Sequence, residues 1–124
     1  MGTKGKILLI DDHDSVLKLL EAVLKVRNYD VCYASNGPEG LEKARSENPD
    51  LILLDVMMPG MDGFKVCQAL KQADATSATP VVFLTARGEE SDREMGQRVG
   101  GEGFIKKPFR SVDLMETITR LMDA

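Results

Sequence analysis

The sequence contains few cysteines: among its 124 residues only Cys32 and Cys67 are of this type. The two are far apart, form no Cys-x-x-Cys pair and lie in mainly apolar segments. Disulfide frameworks and cysteine-based zinc sites need more cysteines, at closer spacing. We therefore predict two reduced thiols in the core, rather than a disulfide or a metal site.

The chain also lacks a cluster of basic residues and a long apolar segment. Its 16 Lys and Arg residues are scattered among 20 Asp and Glu residues, and the formal net charge is −4. Proteins that bind nucleic acid through its phosphates concentrate basic residues on one face, so we predict no direct nucleic-acid binding. No apolar run approaches the roughly 20 residues of a membrane-spanning helix, and no signal peptide is recognisable. These absences predict a cytoplasmic protein with no membrane contact.

Length and composition predict one domain. Hydrophobic residues make up 43% of the chain and charged residues 29%, which is typical of a soluble globular protein. A chain of this length buries a core but leaves no room for a second domain. We expect a single domain over 1–124, with its folded core at about 6–122, and find no internal repeat or low-complexity segment.

What the chain does contain is five short apolar segments that alternate with helical patterns. Continuous aliphatic runs predict strands that are buried on both faces. The predicted strands are 6–10, 31–34, 51–54, 81–84 and 103–106. Helical spacing and cap residues predict helices over 15–27, from 35–39 to about 47, after the cap Asp62, over 89–99 and after the cap Ser111. The helix over 89–99 has the thinnest apolar face, so we expect it to be the loosest.

Strands alternating with helices predict an α/β fold with a doubly wound, five-stranded parallel sheet and helices on both faces. Right-handed crossovers place the carboxyl ends of all strands at one edge of the sheet. Polar residues follow four of the strands at this edge: Asp11 and Asp12, Asp55, Thr85 and Lys107. Asp55 alone could be a turn residue, but this convergence predicts a functional site.

The residue types at this edge predict phosphoryl transfer. Three neighbouring carboxylates repel one another, and a hard cation such as Mg²⁺ relieves that repulsion. Asp55 would then be the nucleophile that forms an acyl phosphate, and Asp11 and Asp12 would hold Mg²⁺. Thr85 and Lys107 would each bind one oxygen of the transferred group, because phosphoryl transfer depends mainly on positioning and charge stabilisation.

The sequence closely resembles the receiver domain of bacterial response regulators, including the single-domain chemotaxis regulators, over about 6–122. The matching segments are Asp11-Asp12, Asp55 with 58–63, Thr85-Ala86, and Lys107-Pro108-Phe109. The resemblance implies a flavodoxin-like sheet of order 2-1-3-4-5. It also implies that Asp55 accepts a phosphoryl group from a phosphohistidine of a sensor histidine kinase or a phosphotransfer protein.

The same resemblance implies how the phosphoryl group and the metal are held. Mg²⁺ would be bound by Asp12, Asp55 and the backbone carbonyl of Met57, with Asp11 contributing through water. Lys107 would pair with a phosphoryl oxygen and precede a cis peptide bond at Pro108.

The resemblance further implies a switch in the second half of the chain. Thr85 would move toward the phosphoryl group, and Phe104, at the family's switch-aromatic position, would turn inward. Taken alone, the residue type of Phe104 favours a plain core aromatic, whereas the flanking motif favours the switch. The surface formed by residues 89–122 would bind a downstream protein, and the domain would be a monomer or a weak, phosphorylation-dependent dimer.

Several residues vary the family pattern. His13 stands where a further acid is frequent, and it could simply be a solvated loop histidine. Met57 and Arg87 occupy positions that, in members of the family, border the path of the water molecule that hydrolyses the phosphoaspartate. We expect apolar Met57 to slow loss of the phosphoryl group, while Arg87 could be an ordinary exposed charge. Gly100-Gly101 replaces the usual Gly-Ala and adds backbone freedom before the last strand.

Other functions fit the sequence less well. An aspartyl-phosphate phosphatase using Mg²⁺ would need a further acid or base and a substrate pocket, and a flavin module would need a phosphate loop where Asp11-Asp12-His13-Asp14 repels phosphate. A phosphorylation-independent scaffold would usually have lost one of the site groups. We predict no enzymatic turnover beyond the domain's own phosphorylation and dephosphorylation. Whether the receiver is free-standing or part of a larger regulator or hybrid kinase stays open, although the sequence itself carries no output domain.

Overall fold

A parallel sheet of five strands forms the centre of the computed structural model, which describes residues 3–122. The strands are β1 (Lys6–Ile10), β2 (Asp30–Ala34), β3 (Leu51–Leu54), β4 (Val81–Thr85) and β5 (Gly103–Lys106). They lie in the order β2-β1-β3-β4-β5, and every neighbouring pair is parallel. The expected sheet and its strand order are therefore confirmed. Of the predicted domain, Met1, Gly2, Asp123 and Ala124 lie outside the described residues.

Five helices alternate with the strands as predicted. They are α1 (Asp14–Val26), α2 (Gly37–Glu47), α3 (Gly63–Gln72), α4 (Glu90–Arg98) and α5 (Ser111–Met122). Side-chain oxygens of Asn36 and Asp62 cap α2 and α3 by accepting backbone hydrogen bonds. The predicted cap at Ser111 is wrong by one residue. The backbone N–H of Leu114 donates to the carbonyl of Arg110, so the first helical turn already starts there and Ser111 lies inside the helix.

Alternating strand residues divide the core between the two faces of the sheet. On one face, β1, β3 and β4 pack against α1 and α5; on the other, they pack against α2 and α3. The three central strands are almost entirely buried, which accounts for their uninterrupted aliphatic runs.

Helix α4 contributes least to this core. Its buried residues are Asp92 and Gly96, so hardly any apolar side chain anchors it. This agrees with the thin apolar face predicted for the segment. No helix within residues 3–122 combines the length and the apolar character needed to span a membrane.

Both cysteines are free thiols, as predicted. Cys67 is fully buried and its Sγ lies 3.5 Å from the carbonyl oxygen of Val99, between α3 and the end of α4. Cys32 on β2 is only half-buried. The two residues are therefore separated in the fold as well as in the chain, which agrees with the prediction of reduced thiols.

Candidate functional site

The register of β1 and β3 places two carboxylates side by side at the edge of the sheet. Ile10 is opposite Leu54, so Asp11 and Asp55 leave adjacent strands at the same level. The backbone N–H of Asp55 donates a 2.9 Å hydrogen bond to the carbonyl of Ile10, which extends the pairing by one residue. Both acids are buried, with 3% of Asp11 and 4% of Asp55 exposed. The structure thus brings the predicted acids together in a water-poor position.

Lys107 reaches these acids from the end of β5. Its Nζ lies 2.9 Å from Oδ2 of Asp11 and 3.7 Å from Oδ2 of Asp55. The lysine therefore hydrogen-bonds to Asp11 and only approaches Asp55. Its backbone N–H donates to the carbonyl of Thr85 at 2.8 Å, and the following peptide bond to Pro108 is cis. The ammonium group is consequently held between two carboxylates.

The environment of Asp55 disfavours its ionised form. Burial raises the pKa of this carboxyl above its ordinary value, and the neighbouring charge of Asp11 raises it further. The ammonium group of Lys107, the backbone N–H of Met57 and the hydroxyl of Thr85 lower the pKa of Asp55 but do not cancel the increase. More positive charge at this point would favour the carboxylate.

Asp12 supplies evidence that a cation fits here. Among the described residues, Oδ1 of Asp12 is the buried side-chain atom without a hydrogen-bond partner. Nδ1 of His13 lies 3.2 Å from it but is not aligned to donate. Ligand atoms of Asp11, Asp12, His13 and Asp55 lie within 4.8 Å of one another. A buried oxygen without a partner beside two more carboxylates matches the oxygen ligands of a hard divalent cation.

The comparison with known families agrees with this arrangement. The family model described as the response regulator receiver domain matches residues 7–119. The chain belongs to this family. The resemblance drawn from the sequence is therefore confirmed, and receiver domains as a class are signalling modules that work with histidine kinases and downstream effectors.

Curated relatives of this receiver domain include longer regulators. The alkaline phosphatase synthesis transcriptional regulatory protein PhoP of Bacillus subtilis is 45% identical over 104 residues, which are 84% of this chain and 42% of PhoP. Response regulator PleD of Caulobacter vibrioides is 44% identical over 117 residues, which are 94% of this chain and 26% of PleD. The chain spans less than half the length of either relative.

Solved structures of similar receivers have the same fold along their whole length. The chemotaxis protein CheY4 of Vibrio cholerae matches with a TM-score of 0.89 and 33% identity, over 94% of this chain and 97% of CheY4. The signal receiver domain of a signal transduction histidine kinase from Syntrophus aciditrophicus matches with a TM-score of 0.88 and 32% identity, over 96% and 90% of the two chains. Receivers of this shape thus occur in different kinds of signalling protein.

Beside the acids, the receiver domain has an open cavity of about 430 Å³. This cavity is lined by Asp12 of the acidic site and, among other residues, by Met57 and Arg87. Met57 is 53% exposed, so part of its apolar side chain faces this cavity and solvent. Thr85 is fully buried at the end of β4, and its Oγ1 accepts a 3.2 Å hydrogen bond from the backbone N–H of Arg87. The two residues predicted to border the water path therefore lie at the mouth of the acidic site.

Phe104 lies away from the acids, in β5, opposite Phe83 of β4. The centroids of the two rings are 6.0 Å apart, and the guanidinium of Arg93 in α4 lies 5.1 Å above the Phe104 ring. The ring is half-buried against the α2–α3 side of the core. Phe104 thus occupies a contact between β4, β5 and α4.

The contacts of two residues at this receiver site were not found by sequence reasoning. Arg87 forms an ion pair with Asp92, a buried acid in α4, although it was weighed only as a water-path residue or an exposed charge. His13 contacts both Asp11 and Asp12 even though its side chain is 62% exposed, so it is solvated but also part of the acidic cluster. The position of His13 directly after the acidic pair could have indicated its contacts with these acids. Nothing in the local sequence pattern distinguished Asp92 from an acid exposed to solvent.

Proposed function

We propose that this receiver accepts a phosphoryl group on Asp55 from a phosphohistidine of a sensor histidine kinase or a phosphotransfer protein. A carboxylate oxygen of Asp55 attacks phosphorus, a P–O bond forms, the P–N bond breaks and the imidazole leaves. The observation that carries this proposal is the buried Asp55 carboxylate beside Asp11, with the ammonium of Lys107 at 3.7 Å. Such a carboxylate is shielded from water, and a neighbouring ammonium group can stabilise the negative charge of the transferred group.

Three carboxyl groups and a backbone carbonyl would hold Mg²⁺ in the proposed site. Asp12 and Asp55 would bind it directly with the carbonyl of Met57, and Asp11 would contribute through water. The partnerless Oδ1 of Asp12 and the closeness of the carboxyl groups of Asp11, Asp12 and Asp55 support this assignment. When bound, Mg²⁺ neutralises the carboxylates and stabilises negative charge on the phosphoryl oxygens.

Lys107 and Thr85 would bind the transferred group once it is on Asp55. Lys107 is now hydrogen-bonded to Asp11 at 2.9 Å, and a small movement of its flexible side chain exchanges this acceptor for a phosphoryl oxygen. The hydroxyl of Thr85 accepts from Arg87, so its own proton is available to donate. Each residue thereby stabilises one oxygen of the phosphoaspartate.

The output would be a change in the α4-β5-α5 face, formed by residues 89–122. Thr85 ends β4 directly beside β5, where it is paired in register with Lys106, two residues after Phe104. Movement of Thr85 toward the phosphoryl group opens space that Phe104 fills, and α4 with its few apolar anchors adjusts. A downstream protein binds the rearranged face, because phosphorylation shifts a pre-existing equilibrium between two arrangements.

We infer a protein module rather than an enzyme that turns over external substrates. Its chemistry is limited to its own phosphorylation and to hydrolysis of the phosphoaspartate, with Met57 and Arg87 tuning the access of water. The proposed unit is one receiver domain with its core at about 6–122, acting in the cytoplasm without direct contact to nucleic acid or membrane. It functions as a monomer or as a weak dimer that forms on phosphorylation.

A labelling experiment tests the proposal. The protein is incubated with a small phosphodonor and Mg²⁺, and its intact mass is measured for the native chain and for Asp55→Asn. We expect one added phosphoryl group on the native chain and none on the variant. Asp30→Asn is the matched control, because Asp30 is an exposed acid at the opposite end of the sheet. Equal labelling of the native chain and Asp55→Asn, or labelling of neither, would overturn the proposal.

A further inference from the structure

The ring of His13 lies against both members of the acidic pair. Its Nδ1 hydrogen-bonds to Oδ1 of Asp11 at 3.1 Å, a contact that it would exchange for the ion, and lies 3.2 Å from Oδ1 of Asp12. His13 is also the single histidine of the chain. An imidazole nitrogen is therefore placed beside the carboxylates that form the proposed metal site.

The backbone holds His13 in this place. Its N–H donates a 2.9 Å hydrogen bond to Oδ1 of Asp11, and its carbonyl accepts from Val16 and Leu17 at the start of α1. His13 occupies the N-cap position of that helix, in an extended conformation. The point from which the side chain leaves is consequently fixed, while the exposed ring can turn at little cost toward the cluster or away from it.

The remaining ligand atoms have the right spacing to share one ion with this nitrogen. Single ligand atoms of Asp11, Asp12, His13 and Asp55 all lie within 4.8 Å of one another. Ligand bonds of about 2.0–2.2 Å place donors on opposite sides of a metal ion up to roughly 4.4 Å apart, so Asp12, His13 and Asp55 need only a small adjustment, and Asp11 remains close enough to reach the ion through water. Oδ1 of Asp12, which lacks a hydrogen-bond partner, is the carboxylate oxygen nearest to His13 after that of Asp11.

We propose that His13 is a direct ligand of the bound ion and shifts the preference of this site from Mg²⁺ toward first-row transition-metal ions. This inference rests on the proposed metal site but adds a donor and a selectivity to it. Mg²⁺ binds oxygen ligands and gains little from an imidazole, whereas Co²⁺, Ni²⁺ and Zn²⁺ bind imidazole well. A site made of carboxylates and His13 accepts Mg²⁺ through its oxygens and binds the transition-metal ions more tightly through the added nitrogen.

The alternative is that His13 only hydrogen-bonds to the acids and orients them. In that case its removal would weaken binding of all divalent ions to a similar degree, because the carboxylates bind every one of them. Selectivity between an oxygen-preferring and a nitrogen-accepting ion therefore separates a metal ligand from a positioning residue.

The first experiment compares Mg²⁺ and Ni²⁺ dissociation constants of the untagged protein and of His13→Gln, at a pH where imidazole is neutral. Glutamine retains a polar side chain but has no imidazole nitrogen. We expect Ni²⁺ binding to weaken by about tenfold or more, the scale on which metal sites respond to the loss of a coordinating or supporting group, with a much smaller change for Mg²⁺. An equal change for both ions, or none for Ni²⁺, would overturn the inference.

A second experiment detects the nitrogen directly. Pulsed electron paramagnetic resonance of the Cu²⁺-loaded protein should show coupling to a bound imidazole nitrogen, because Cu²⁺ binds imidazole well, and His13→Gln should lose it. Because the sequence has one histidine, such a signal can only come from His13. The absence of nitrogen coupling in the native protein would contradict direct ligation.

Two further measurements keep this inference separate from the proposed function. Phosphorylation of the native chain by a small phosphodonor with Mg²⁺ tests the proposed function, whereas the Ni²⁺ and Mg²⁺ titrations of His13→Gln test the ligand assignment. Asp12→Asn should weaken binding of both ions, because Asp12 is a ligand of either. If the native chain is labelled but His13→Gln shows no selective loss of Ni²⁺ affinity, the ligand assignment fails and the proposed function stands. If the native chain is not labelled, the proposed function fails whatever the metal preference.

Discussion

The guanidinium of Arg87 donates a 2.7 Å hydrogen bond to Oδ1 of Asp92. Arg87 lies in the loop after β4, and Asp92 lies in the first turn of α4 with only 9% of its side chain exposed. The other oxygen of Asp92 accepts from the backbone N–H of Glu89 at 3.3 Å. This carboxylate therefore joins the loop beside the phosphoryl site to a helix that has few apolar anchors.

Replacing Arg87 by alanine should loosen α4. The buried carboxylate of Asp92 would lose its charged partner, at a cost of about 1 kcal/mol once the solvent exposure of Arg87 is taken into account. Amide hydrogen exchange measured by mass spectrometry should become faster in α4 and stay unchanged in α1. Arg98→Ala, at an exposed position of the same helix, is the control. Unchanged exchange in α4 of Arg87→Ala would show that the ion pair does not hold this helix.

The raised pKa of Asp55 predicts that stability of the metal-free protein falls as pH rises. The folded state holds the Asp55 proton more tightly than the unfolded chain, whose carboxyl has the ordinary value of 3.8. Between that value and the raised folded pKa, the folded state binds more protons, so a rise in pH disfavours folding. The loss of folding stability that is due to Asp55 is complete above the pKa of this carboxyl in the folded state, and it is absent well below 3.8.

Asp55→Asn removes this ionisation and should be more stable than the native chain at neutral pH in the presence of a chelator. The advantage should shrink in acid, where Asp55 of the native chain is protonated. Urea denaturation at a series of pH values measures the difference, with Asp30→Asn as the control at an exposed site. A difference that does not vary with pH would contradict the proposed origin of the effect.

Gly63→Ala should damage both the fold and the site. A Cβ at Gly63 would lie 2.2 Å from the carbonyl oxygen of Asp55 and 2.8 Å from Cα of Val56, and these backbone atoms cannot move aside independently. We expect a loss of about 1–3 kcal/mol in the free energy of unfolding, typical of overpacking. Because the clash is with the backbone of Asp55, Mg²⁺ affinity should also fall.

Gly60→Ala is the comparison for this variant. Its Cβ would meet no atom within 4 Å, although its φ of +82° carries a penalty of about 1–2 kcal/mol for a side chain. Chemical denaturation and metal titration of both variants separate the two effects. A Gly60→Ala protein that loses as much Mg²⁺ affinity as Gly63→Ala would argue against the steric explanation.

Met57→Asn should shorten the lifetime of the phosphorylated form. Met57 covers part of the cavity beside Asp12 with an apolar side chain, whereas an amide there can orient a water molecule. We expect hydrolysis of the phosphoaspartate to become faster by about tenfold. The increase should be smaller than that given by general acid–base catalysis, because an amide does not take up the proton of the attacking water. Loss of label with time is the measurement, and Met95→Asn, on the exposed side of α4, is the control. An unchanged lifetime would remove the role assigned to Met57.

The two thiols should differ in reactivity. Burial raises the pKa of Cys67 to about 11 and also raises that of Cys32, which is less buried. A thiol reagent should therefore modify Cys32 slowly in the native protein and reach Cys67 only on unfolding, because the thiolate is the reactive form. Cys32→Ser should abolish the native reaction and leave the reaction in denaturant. Native labelling of Cys32→Ser would indicate that the contact of Cys67 with α4 opens easily.

The sequence by itself determined the elements and the edge at which the acids meet. Uninterrupted aliphatic runs such as 51–54 predict strands buried on both faces, and the chain then alternates between strands and helices. The carboxyl ends of parallel strands share one edge, so Asp11, Asp55 and Thr85 could be placed together without coordinates. Family resemblance, rather than residue patterns, supplied the strand order, because many orders are compatible with five alternating units.

Only the tertiary structure decided which partners these residues have. Lys107 hydrogen-bonds to Asp11 rather than to Asp55, although 96 residues of chain separate the pair and β3 and β4 lie between β5 and β1 in the sheet. Asp92 is buried and paired with Arg87, although its position in an acidic helix predicts a solvated residue. Contacts of this kind depend on distances of a few ångströms between elements, which local hydrophobic periodicity does not specify.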